Sequence, residues 1–176
     1  GALTRTTVVA GSGNDTIEFL SGTDAAGSTA LDLDALGGAD FIELSGSNIF
    51  DSTILGGAGG DTISMSGIVS FSDGDIKVGD GNDDVWIAAD AFSGTDVSLG
   101  GGADTVFFSG GAASILTGSS VLGGAGADEI SLIGTIALSA TTILGGGGAD
   151  QIVISGIVAG DSQINGDSSA DGGGAD

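Results

Sequence analysis

Eight aspartates close eight short glycine-rich loops, and no other residues of this sequence are so regularly placed to do chemistry. The loops read AGSGND (10–15), LGGAD (36–40), GGAGGD (56–61), VGDGND (78–83), LGGGAD (99–104), GGAGAD (123–128), GGGGAD (145–150) and DGGGAD (171–176). Their aspartates, Asp15, Asp40, Asp61, Asp83, Asp104, Asp128, Asp150 and Asp176, recur 21 to 26 residues apart. Two residues before each stands a glycine: Gly13, Gly38, Gly59, Gly81, Gly102, Gly126, Gly148 and Gly174. Glycine admits positive φ, so successive carbonyl oxygens can turn to one side of a loop, and an aspartate at fixed offset adds a charged ligand. Each loop therefore offers half a cage for a hard cation. Eight loops stacked in order define up to about seven inter-loop sites by the same logic.

The composition narrows the ion. There is no cysteine and no histidine, so thiolate and imidazole sites are excluded and any metal must be held by oxygen. Ca²⁺, with flexible coordination by six to eight oxygens, suits irregular glycine loops better than Mg²⁺, which demands a near-ideal octahedron. The formal charge is −22, from 24 acidic residues against Arg5 and Lys77 alone. A compact state carrying that charge repels itself, which calls for a cation. Two basic residues cannot make a phosphate-binding footprint, so nucleic acid is excluded as a partner, and no apolar run approaches the roughly 18 residues of a membrane-spanning helix. A turn-only reading, in which Gly–Asp pairs merely make good turns, does not account for eight loops in phase with so large an acidic excess.

The loops must be held by what lies between them. The first seven aspartates are each followed by an alternating segment: Thr16-Ile-Glu-Phe19, Phe41-Ile-Glu-Leu44, Thr62-Ile-Ser-Met65, Asp84-Val-Trp-Ile87, Thr105-Val-Phe-Phe108, Glu129-Ile-Ser-Leu132 and Gln151-Ile-Val-Ile154. The second and fourth places are always apolar, the period of a half-buried strand. A second turn is expected at Ser45-Gly46, Ser66-Gly67, Ser109-Gly110 and Ser155-Gly156, then another strand running to Leu55, Val78, Leu99, Leu122 or Leu144. About 22 residues thus hold two or three short strands and leave no room for a helix of ordinary length. The expected fold is all-β: a parallel β-solenoid, of β-roll or β-helix type, with one calcium-binding glycine-rich turn per coil. Residues 1–176 are expected to form a single domain of about seven coils, a piece of a larger secreted protein. A single coil cannot cover its own apolar residues, so neighbours must stack into ladders. One is expected to comprise Ile17, Ile42, Ile63, Val85, Val106, Ile130 and Ile152, and the next Phe19, Leu44, Met65, Ile87, Phe108, Leu132 and Ile154.

Gly123-Gly-Ala-Gly-Ala-Asp-Glu-Ile-Ser131 resembles the haemolysin-type (RTX) calcium-binding repeat, G-G-x-G-x-D-x-aliphatic-x, at all nine places, and 56–64 and 145–153 match as fully. The loops ending at Asp15, Asp83, Asp104 and Asp176 lack the first glycine, and the Asp40 loop reads as shorter. The resemblance spans nearly the whole chain. The family's usual coil has 18 residues with two motifs and calcium along both edges; coils of about 22 residues with one motif imply calcium on one edge only. The family also implies export in the unfolded state and folding outside the cell, where calcium is abundant, hence a secreted or bacterial cell-surface location.

Three function classes remain. Catalysis is disfavoured, since His, Cys and Tyr are absent and cations almost so, and the expectation is that the chain is not an enzyme. Ice or glycan binding by an adhesin module is the second class. Asn14-Asp15 and Asn82-Asp83 are similar to the loops of an ice-binding adhesin segment, but the outward places Thr16, Phe41, Thr62, Asp84, Thr105, Glu129 and Gln151 make no regular array; a non-catalytic tail of a secreted enzyme is a further possibility of the same family. The third is a calcium-dependent structural segment of a surface layer, adhesin stalk or fibre. Trp86 and Phe107, with Val153 two coils beyond Phe107, fall at one outward place and are read as an interaction patch for self-association or another surface protein.

Overall fold

A computed structural model describes residues 4–20, 29–46, 48–110 and 114–167. All regular structure among them is β, and every strand pairing is parallel. The expected β-solenoid is what forms. Its strands stand in three columns. The first follows the aspartates: Thr16–Leu20, Phe41–Ser45, and the opening parts of Thr62–Ser72, Asp84–Ser93, Thr105–Ser109, Glu129–Ser139 and Gln151–Ala159. The second leads into the loops: Thr4–Val9, Thr29–Asp34, Thr53–Ala58, Asp75–Asp80, Asp96–Gly101, Ser120–Ala125, Thr142–Gly147 and Gln163–Asp167. The third comprises Asn48–Phe50, Ser114–Thr117 and the closing parts of the long strands.

Both expected ladders are present in full register. Ile17 pairs with Ile42, Ile42 with Ile63, Ile63 with Val85, Val85 with Val106, Val106 with Ile130 and Ile130 with Ile152, with Phe19 through Ile154 two residues on. Ile42, Ile63, Val85, Val106 and Ile130 are sealed from solvent. The second column adds Leu33, Ile54, Ile76, Val97, Val121 and Ile143, and the third adds Ile49, Phe71, Phe92, Leu116 and Leu138. The Phe71 and Phe92 rings stack with centroids 5.4 Å apart, and Phe108 meets Phe92 edge-on at the same distance. Four inward ladders from three columns make one continuous core, which no single coil could enclose.

Two local expectations fail. Ser66-Gly67 does not end a strand: Thr62–Ser72 runs through it, and the corner is a register shift between Met65 and Ile68, with another between Ile133 and Ile136. An extra residue bends a strand without closing a turn, so Ser66-Gly67 is a bulged corner, whereas strands do end at Ser45 and Ser109 as expected. The tight turns fall later, at the left-handed residues Asp51, Asp73, Gly94, Gly118 and Ala140. The Asp40 loop is also not shortened. Asp34 pairs with Leu55, which puts Ala35-Leu36-Gly37-Gly38-Ala39-Asp40 in register with 56–61. Leu36 takes φ 72° where glycines at the same place have 105° to 113°.

Candidate cation site along the aspartate file

The strand columns deliver the aspartates to one edge of the solenoid. From Asp40 to Asp150 they are buried, at 1 to 6% exposure. Each uses one carboxylate oxygen to bind the coil before it: the backbone N–H groups of Asp15, Asp40, Asp61, Asp83, Asp104 and Asp128 donate to Oδ1 of Asp40, Asp61, Asp83, Asp104, Asp128 and Asp150, at 2.7 to 3.0 Å. Six such bonds join seven loops, so the described coils make six turns. Asp15 lies at the head of the file, where Gly11 donates to its Oδ2 at 2.9 Å. Asp176 and Gly174 lie outside the described residues.

The second oxygen is different. Oδ2 of Asp40, Asp61, Asp83, Asp104, Asp128 and Asp150 is buried without a hydrogen-bond partner. A buried carboxylate oxygen left unpaired costs several kcal/mol unless a proton or a cation satisfies it. The glycines at the start of three loops show what lies beside it. A Cβ on Gly56 would stand 2.7 Å from both Asp61 Oδ2 and the Val78 carbonyl oxygen. On Gly123 it would stand 2.7 Å from Asp128 Oδ2 and 2.2 Å from the Gly145 oxygen, and on Gly145, 2.6 Å from Asp150 Oδ2 and 2.2 Å from the Gly166 oxygen. A carboxylate oxygen of one coil and a carbonyl oxygen of the next thus close on the same small space. In the other loops Ala35, Val78 and Leu99 hold this place and join the core.

The glycines two residues before the aspartates have the role their spacing predicts. Gly38, Gly59, Gly81, Gly102, Gly126 and Gly148 have φ between 129° and 147°. A side chain there would strike the coil before: a Cβ on Gly102 would lie 1.5 Å from the Gly81 carbonyl oxygen, and on Gly38, 2.1 Å from that of Gly13. Bare Cα atoms let the carbonyls of successive loops stand in file beside the carboxylates. Asn14 and Asn82 accept from the N–H groups of Ala39 and Ala103 in the next loop at 3.0 Å, which ties coils together on the outer side of the edge.

Burial raises the carboxyl pKa of Asp61 and Asp104 above the usual range, and those of Asp83 and Asp128 to about 6. The hydrogen bond from the preceding aspartate's N–H opposes this, and neighbouring carboxylates in the file add to it. Among the described residues no three carboxylates gather at one point. A cation here would therefore take one or two carboxylate oxygens and complete its shell from backbone carbonyls. That donor set fits a hard, flexible ion such as Ca²⁺.

The chain was compared with protein-family models, curated proteins and solved structures. Nothing matches.

Several other acids lie apart from the file. Asp32 pairs with Arg5 at 2.6 Å, which holds its carboxyl below the usual range; Asp73 sits in an αL turn, and Asp90 and Asp161 are exposed. Asp80 faces outward from its loop. A set that the sequence reading missed lines the opposite corner, where Ser52, Thr95, Ser119 and Thr141 are buried. Their hydroxyls donate to Phe50, Ser93, Thr117 and Ser139 carbonyls, and Ser52 and Ser119 accept from Leu31 and Thr95 N–H groups of the preceding coil. The signal was available: a small hydroxyl two residues before Ile54, Val97, Val121 and Ile143.

Proposed function

We propose that this chain is a calcium-set β-solenoid of the RTX kind, a rigid structural segment of a bacterial cell-surface or extracellular assembly. The observation that carries the reading is the file of six buried Oδ2 atoms without partners, of which those of Asp61, Asp128 and Asp150 are set beside next-coil carbonyls that add oxygen and no compensating charge. Cations between successive loops, up to about seven, hold the file together; each is held by Asp Oδ2 and loop carbonyls and neutralises the repulsion between coils. Calcium at extracellular levels suffices for sites with Kd on the order of 10⁻⁴ to 10⁻³ M, which supports folding after export. The absence of His, Cys and Tyr removes the commonest general base and the thiol nucleophile, which supports a mechanical role.

The test is a far-ultraviolet circular dichroism titration of the chain with Ca²⁺, with Mg²⁺ at equal ionic strength as the control. Binding energy in such a site is folding energy, so strand signal should rise cooperatively with Ca²⁺ and only weakly with Mg²⁺. A full signal in chelator at pH 7 would falsify calcium dependence and leave a solenoid held by its ladders alone.

A further inference from the structure

Trp86 is 47% exposed, and its ring lies 5.2 Å from that of Phe107 on the next coil, inclined at 46°. The two share one outward row: Ser64, Trp86, Phe107, Ser131 and Val153 pair in sequence, and Val153 is 38% exposed. Within the row Trp86 and Val153 are exposed, Ser64 and Phe107 are half-buried, and Ser131 is buried. The row beside it, toward the loop edge, runs Thr62, Asp84, Thr105, Glu129 and Gln151. Asp84 and Glu129 are both exposed; Asp84 stands on the coil of Trp86 and Glu129 one coil beyond Phe107, about 9.6 Å apart at two coil steps. Two aromatic faces and two carboxylates thus share a flat sheet surface with no cation of the chain's own. Arg5 is bound to Asp32 and Lys77 to Asp75, both on the second strand column.

We propose that this face is a docking site for a basic partner protein, with an arginine side chain of that partner laid on Trp86 and Phe107 and bridged to Asp84 and Glu129. A guanidinium is planar, stacks on aromatic faces and pairs bidentately with carboxylates, so one side chain can use both rows. Charge selects against a second copy, because two chains of −22 would bring carboxylate-flanked faces together. The proposal stands on the surface alone and does not depend on the aspartate file.

Trp86 is the only tryptophan, so its emission reports this face alone. The folded chain, in 150 mM salt, is titrated with a ten-residue Arg-Ser alternating peptide, a Gln-Ser peptide of equal length and maltohexaose. The Arg peptide should shift the emission saturably, and the Gln peptide should bind at least about tenfold more weakly. By calorimetry, Trp86→Ser with Phe107→Ser should weaken the Arg peptide about tenfold although no charge is changed, and Asp84→Asn with Glu129→Gln should do the same. Asp90→Asn with Asp161→Asn, which removes equal charge elsewhere, should cost less than about twofold. Equal affinity for the serine variant overturns the proposal in favour of diffuse attraction to an acidic rod. A shift with maltohexaose and none with the Arg peptide overturns it in favour of a glycan surface. Should the serine variant fail to fold, the exposed Asp84 and Glu129 pair, of which Glu129 accepts only from the Ser131 hydroxyl among the described side-chain bonds, decides against the Asp90 and Asp161 control.

Discussion

Each aspartate of the file divides its carboxylate between two tasks, and the division can be tested by removing charge alone. Asp128→Asn keeps an oxygen to accept the Asp104 N–H but leaves no negative charge beside Gly123. Without calcium at pH 7 the variant should be more stable than the parent, on the order of 2 kcal/mol, because a buried charge has been removed. With calcium the sign should reverse, and calorimetry should show fewer ions bound, at the positions on either side of that coil. Proton linkage gives a second test. Asp83 and Asp128 have pKa values raised from 3.8 to about 6, so the folded state binds protons more tightly than the unfolded chain. Their contribution to metal-free stability is full below pH 3.8 and is lost as pH rises through about 6. Urea midpoints in chelator should fall between pH 4.5 and 7.5, and calcium should restore the loss at the upper end, since its ligands must be deprotonated. The file itself was legible in the sequence, because spacing alone places one aspartate per coil. The use of Oδ1 as an acceptor between coils was not, because it depends on where the preceding N–H points. The outward place of Trp86, by contrast, followed from the strand period.

At the level of the loop and the strand, the same register that stacks the loops sets which substitutions they tolerate. Gly102→Ala must hold φ 144° and push against the Gly81 carbonyl, and should cost about 2–4 kcal/mol. Leu36→Gly goes the other way. Leu36 already holds a left-handed φ and is half exposed, so glycine should relieve backbone strain and stabilise by up to about 1 kcal/mol, less what the freer unfolded chain takes back. Thermal melts of the two variants should move in opposite directions. Leu36 also explains why the Asp40 loop looked short: the eye counts glycines, whereas the backbone counts residues from the paired strand. The misplaced second turn has a similar cause. Ser66-Gly67 signals a turn locally, as Ser45-Gly46 and Ser109-Gly110 do where strands end, yet at Ser66-Gly67 the hydrogen-bond ladder continues and the extra residue becomes a bulge. The hydroxyl column at Ser52, Thr95, Ser119 and Thr141 went unnoticed because serine and threonine read as solvent-facing when nothing in one coil alone shows the neighbour that buries them.

Taken whole, the molecule is a rod whose hydrogen bonds run along its length while its strands lie across it. The solenoid itself was legible because repetition multiplies a weak signal: one glycine loop says little, and seven in register with an aliphatic two residues later admit few folds. A load applied between the two ends therefore does not shear many bonds at once. It draws on the outermost coil alone, whose ladder opens bond by bond, as a seam does from its end. Each coil set free yields about 22 residues of slack, roughly 75 Å of extended chain, in exchange for about 4.8 Å of rod. Pulled in calcium, a single molecule should give a train of nearly equal steps of about 70 Å, and in chelator at pH 7 the steps should be lost. A surface layer or stalk built from such segments would stretch by unreeling a coil at a time and shorten again as coils rewind, with calcium setting the tension at which the reel begins to turn.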